Sequence, residues 1–230
     1  MSTLVQSKST RTLAATSLGL AFDSNVTAGN FILVIAGGFR STSFSFTGVT
    51  DTLGLGSGNG YALLGQTPWT ATFRQINAAF LAKASSGGAN TVTMTVSAAA
   101  DISIEIYELS GIDGFDQCLE TQQTSATPLT GSLTNTKANS RLFASVSHDG
   151  ADTTITPASG WTQREENEST SGSDYSTADK VVSSAGSQSH QWALGASRDA
   201  SMLIVCFAET TAGGGGGGGM RLAGHGGLAA

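Results

Sequence analysis

Few side chains in this sequence are equipped for chemistry. His148, His190 and His225 lie far apart, and none has a second His or Cys at metal-ligand spacing, so a zinc site would need three remote segments to converge. Cys118, in "GFDQCLE", and Cys206, in "MLIVCFA", have no adjacent His or Lys to lower a thiol pKa. The first reads as a loop residue and the second as a small buried hydrophobe. No G-x-S-x-G elbow is present, and the many serines make any Ser-His-Asp set arbitrary. Glu105 and Glu108, in "ISIEIYE", are the carboxylate pair to weigh for glycoside hydrolysis. Glu105 alternates with an isoleucine face, however, and is expected to point into solvent. His148 reads as a turn residue and His190 as a strand residue. "REENES" (164–169) lacks the alternating ligands of a calcium loop and reads as a solvated loop. The expectation is a protein with no catalytic residue, no metal and no cofactor.

Binding has better candidates. Trp69 follows a proline in "GQTPWTATF", where an exposed indole would form a ligand or partner surface, with packing against a sheet as the plainer alternative. Trp161 and Trp192 read as core. The last residues, "TAGGGGGGGMRLAGHGGLAA", join seven glycines to a peptide in which Met220, Leu222 and Leu228 are apolar while Arg221 and His225 offer donors. Glycine runs have the composition of tethers, and residues 213–219 would span about 23–25 Å when extended. The expectation is that Met220, Arg221, Leu222, His225 and Leu228 bind a partner, at the high effective concentration a tether confers.

These residues must be placed by a chain of 230 residues that is 39% hydrophobic, 12% charged and carries a net charge of −6. That is enough apolar content for a core. The 11 basic residues are scattered, so no stripe exists to neutralise phosphates and nucleic acid is not an expected partner. No apolar run reaches the length of a membrane span. The N-terminal Lys8 and Arg11 precede a mildly apolar stretch that looks like a leader, but Leu18, Leu20 and Phe22 alternate with small residues as a first strand does.

Period-2 alternation recurs at Phe44 and Phe46, at Val92, Met94 and Val96, at Ile102, Ile104 and Ile106, and at Leu203, Val205 and Phe207. "FILVIAGG" (31–38) is apolar throughout, as a central strand covered on both faces must be. Gly-, Asn- and Ser-rich turns separate these runs, and about a dozen short strands at regular spacing predict a sandwich or barrel. A half-repeat sharpens this. "KASSGGANTVTMTV" resembles "KVVSSAGSQSHQWAL", "GYALLGQT" resembles "GWTQREEN", and "NFILVIA" resembles "NSRLFASV". In the same register Ile102, Ile104, Ile106 and Glu108 fall on Leu203, Val205, Phe207 and Glu209. Two weakly similar halves, each giving about four strands to a double sheet, predict an all-β, antiparallel, jelly-roll-like β-sandwich. Its expected divisions are an N-terminal segment at 1–17, the sandwich at 18–210 and the Gly-rich tail at 211–230.

"NVTAGNFILVIAGG", "GVTDTLG", "GYALLG", "AFLAKASSGGANTVTMTVS", "ISIEIYELSGID", "SGWTQRE" and "ADKVVSSAGS" together resemble a β-sandwich family found in bacteriophage virion structural proteins and bacterial surface modules. The resemblance covers about 18–209 and departs at "DTLGLGSGNGY", where a shorter turn is usual. It implies a folding module on virion or cell exteriors and transfers no catalytic residue. The expected function is a non-enzymatic virion subunit (capsid decoration, head fibre or tail-associated), located in the virion and partnered by its own copies and other virion proteins. The alternative is a carbohydrate-binding or adhesive module on a bacterial surface, with a glycan as ligand.

Overall fold

The computed structural model describes residues 2–55, 60–150, 154–167 and 173–210, and among them there is no helix. The first half of the chain contains β1 (Thr3–Ala21), β2 (Phe31–Phe39), β3 (Phe46–Asp51), β4 (Ala62–Gln66), β5 (Gln75–Lys83) and β6 (Thr91–Ser110). The second contains β7 (Ile112–Ala126), β8 (Leu129–Asn135), β9 (Ser140–Asp149), β10 (Ile155–Pro157), β11 (Thr162–Asn167), β12 (Ser173–Val182), β13 (Gly186–Leu194) and β14 (Arg198–Glu209). The opening strand begins at Thr3, so residues expected to precede the sandwich pair with β6 from Thr3↔Ser110 onward.

Both halves pair by nesting. The first strand pairs with the last and an inner strand with an inner strand: β1 with β6 and β2 with β5, then β7 with β14, β8 with β13 and β9 with β12. Every strand pair is antiparallel. The broad sheets run β1-β6-β2-β5-β4 and β7-β14-β9-β12-β11, the same order twice, while β3 adds to the start of β6 as β10 adds to β13. The halves therefore do not share one double sheet; each builds its own pair of layers.

The corner between layers is made alike in both halves. Ala14 (φ 51°) and Ser125 (φ 52°) adopt the left-handed conformation that side chains avoid. Each N–H is held by a carboxylate of the strand opposite, Ala14 by Asp101 at 3.2 Å and Ser125 by Asp199 at 2.9 Å. Such a charged acceptor offsets the strain.

Three cores result. Ile32, Val34, Ile102, Ile104 and Ile106 of the first broad sheet pack on Leu20, Val49, Val92 and Met94. Leu142, Val146, Met202, Ile204 and Cys206 pack on Leu129, Leu133, Ile155 and Trp192. The third core joins the halves, with Leu33, Ile35, Tyr107 and Leu109 against Phe143, Tyr175, Leu203, Val205 and Phe207. "FILVIAGG" is apolar on both faces because both are covered, as expected.

The same assignment corrects the half-repeat by one residue. Ile102, Ile104 and Ile106 face a half's own core, as Met202, Ile204 and Cys206 do. Leu203, Val205 and Phe207 face the junction. A one-residue slip in a strand exchanges its faces, so chemically similar runs aligned at the wrong parity.

Candidate functional site

The junction between the broad sheets gathers the polar side chains that look most like a site. Glu105 on β6 is 1% exposed, not solvated as its alternation implied. Its face of β6 also carries Tyr107 and Leu109, and the partner half covers that face. Thr177 on β12 donates its hydroxyl to Glu105 Oε2, and Tyr107 donates to Thr177 Oγ1 at 2.9 Å. Burial pushes the Glu105 carboxyl up to about 8, outweighing the hydroxyl donors and Arg164, while Glu165 adds to the rise. Burial likewise holds the Tyr107 and Tyr175 phenols well above their ordinary range. Beside this network Asn77 Nδ2 donates to Ser201 O at 2.8 Å and Ser147 Oγ donates to Asn77 Oδ1 at 3.0 Å. Gln75 Nε2 donates to Asp199 O at 2.6 Å. These bonds stitch the two halves, and reading residues singly missed them. The available signal was Tyr107 and Leu109 following Glu105 at period 2, which marks the second face as buried.

Glu108 is engaged elsewhere. Its carboxylate accepts from Thr27 N at 2.8 Å, from Asn30 Nδ2 at 2.6 Å and from Gln6 Nε2 at 2.6 Å. It fastens the turn before β2. At odd and even positions of one strand, Glu105 and Glu108 lie on opposite faces, so no glycosidic bond can lie between them.

His148 is not in a turn; it lies in β9, fully buried, with Nε2 3.8 Å from Asp174 Oδ2. The turn begins later because the pairing of β9 with β12 continues to Asp149. His190 lies in β13 as expected, between the rings of Trp161 (4.2 Å) and Trp192 (4.8 Å). Burial, with Lys180 adding, lowers its pKa to about 3, so the ring is neutral at ordinary pH. Among the described residues no group of three or more His, Cys, Asp or Glu is placed to hold a metal ion.

Both cysteines are free. Cys118 lies in strand β7, not a loop, and packs toward the junction; Cys206 belongs to the second half's core. Burial pushes both thiols up to about 12.

Trp69 is half-buried against the first core, and its Nε1 donates to Arg40 O at 3.0 Å. Of the run expected in a loop, Glu168 and Ser169 lie outside the described residues, while Arg164, Glu165 and Glu166 lie in edge strand β11, where charged side chains are tolerated. There Arg164 Nε bonds Asp179 Oδ1 at 2.5 Å, and Asp179 also pairs with Arg141. Along β8 and β13, Thr130, Ser132, Ser189, His190 and Gln191 line a depression of about 440 Å3 with Ala158. The chain leaves β14 at Thr210, whose N–H donates to Gly111 O at 2.9 Å. Met220, Arg221, Leu222, His225 and Leu228 lie outside the described residues.

Compared with protein-family models, with curated proteins and with solved structures, the chain matches none.

Proposed function

We propose that this chain is a non-enzymatic structural subunit of a bacteriophage virion, a capsid-decoration, head-fibre or tail-associated protein that assembles with its own copies and other virion proteins. The observation that carries this reading is the doubled architecture. Nested pairing is what rolling up one long hairpin produces, and it supports reading each half as a jelly roll. The halves are locked face to face through a buried core, which makes a stiff block whose outer faces remain for neighbours. The carboxylates, thiols and histidines described above serve packing and hydrogen bonding, consistent with a structural role. In this reading the peptide carrying Met220, Arg221, Leu222, His225 and Leu228 docks on an adjacent copy or on the underlying shell. Deleting residues 213–230 is expected to leave a soluble domain of unchanged melting temperature that no longer co-sediments with particles. Incorporation equal to the full chain would reject the docking role.

A second reading, a glycan-binding module of a bacterial surface protein, is favoured by the depression bearing Thr130, Ser132, Ser189 and Gln191. Uncharged hydroxyls and an amide suit a neutral sugar. It expects the monomer to be retained on a glycan column, with retention lost in Gln191→Ala; a flow-through wild type would reject it.

A further inference from the structure

Glu105 is a buried titratable group with a partner in the other half of the molecule, and the proposed function uses it only as a hydrogen-bonding group. It sits on β6 of the first broad sheet, while its hydroxyl donor, Thr177, sits on β12 of the second. Its surroundings are well defined. Tyr107 is next along the same face of its own strand. Register places Ser9 of β1 and Ile35 of β2 on either side, with Arg11 the next residue of β1 on that face, paired to Asp101 at 4.0 Å. From the opposing sheet come Thr177, Tyr175 and Asp179 of β12, Ser145 and Ser147 of β9, and Arg164 and Glu165 of β11. The guanidiniums of Arg164 and Arg141 are already engaged by Asp179.

We propose that Glu105 is a proton-operated latch between the two halves, closed when its carboxyl is neutral and loosened when it ionises. One carboxyl oxygen receives the Thr177 hydroxyl, so the other carries the proton in the closed state. Loss of that proton leaves a charge between two sheets whose hydrogen-bonding partner is a hydroxyl, while the Arg164 and Arg141 guanidiniums are bonded to Asp179. Parting β6 from β12 lets water reach the carboxylate and relieves the cost of burying it. The aromatic and aliphatic contacts of Phe143, Leu203 and Phe207, and the Asn77 stitches, do not titrate with it, so the response is local loosening around β6 and β12 and not separation of the halves.

The test is amide hydrogen exchange on the full chain, expressed as protection factors so that base catalysis cancels, two pH units below and two above about 8. If the opened carboxyl returns to its ordinary value of 4.5, opening of β6 and β12 rises about a hundredfold across that interval. Glu105→Gln, which keeps the shape and cannot ionise, is expected to show no such rise. An unchanged wild-type profile, or an equal rise in the variant, overturns the latch. Should the variant fold poorly, infrared difference spectra of the wild type decide. A carboxylic-acid carbonyl band that persists to about pH 8 supports the proposal, and its loss near the ordinary carboxylate range rejects it.

Discussion

Gly37 on β2 lies so close to Tyr175 on β12 that a methyl group on its Cα would overlap the tyrosine ring and come within 2.6 Å of Ser147 Oγ. The Tyr175 ring fills the space that a side chain at position 37 would need. Gly37→Ala is therefore expected to destabilise the protein by about 1–3 kcal/mol, the usual cost of overpacking. Gly48 on β3 has nothing within 4 Å of the same added carbon, so Gly48→Ala should be neutral or stabilising by up to about 1 kcal/mol. Chemical denaturation of both variants checks the contrast; equal effects would argue against the close approach.

Trp69 both packs and bonds. Losing its indole removes contacts with the first core and the bond to Arg40 O. Trp69→Ala is expected to cost about 2 kcal/mol or more in a thermal or denaturant melt. A variant that melts with the wild type would return Trp69 to the role of a surface platform.

Stability should have a plateau in mildly acid solution, flanked by losses from two groups of opposite sign. His190 binds a proton below 6.5 when unfolded but only below about 3 when folded. Stability therefore falls as pH drops through that window, by about 1.4 kcal/mol per unit. Glu105 binds its proton up to about 8 when folded but only to 4.5 when unfolded, so stability falls as pH rises between those values. From 4.5 to 6.5 the two slopes cancel. Melting temperatures across pH are expected to flatten on the acid side in His190→Phe and on the alkaline side in Glu105→Gln; parallel curves for all three proteins would contradict both assignments.

The two thiols should differ in stability effect and agree in reactivity. Cys206 is fully buried in the second core, and Cys206→Ser is expected to cost about 1–3 kcal/mol through a poorly paired hydroxyl. Cys118 is only half-buried, and its serine variant should lose less. With both pKa values near 12, alkylation of the folded protein near neutrality should be slow at both sites and become fast on unfolding.

How much of this was legible depends on whether a feature follows from one strand or from two. "FILVIAGG" marks a strand covered on both faces, and Trp161 and Trp192 read as core and are buried, because burial on both faces and aromatic size show in the local sequence. The half-repeat was visible, yet its register slipped by one, since isoleucine on one face and leucine, valine or phenylalanine on the other are interchangeable to any reading of hydrophobicity. The burial of Glu105 is hidden for the same reason: alternation says that two faces differ, not that the second is dry. The corners at Ala14 and Ser125 left no mark, because the carboxylates that hold them, Asp101 and Asp199, come from strands distant in sequence.

Nested pairing also dictates an order of events as the chain is made. β1 has its mate in β6, and Thr3 must wait for Ser110, so the oldest strand of the first half is among the last to find a partner. Closing the inner pair β2 with β5 first, and the outer pair afterward, breaks one long loop into shorter ones and lowers the entropy lost at each step. The second half repeats this sequence, ending when β14 settles between β7 and β9. Contacts this remote in sequence make for slow folding. Until the second half brings up β9, β12 and β14, the junction face of the first broad sheet stays uncovered, with Leu33, Ile35, Tyr107 and Leu109 open to any other nascent chain.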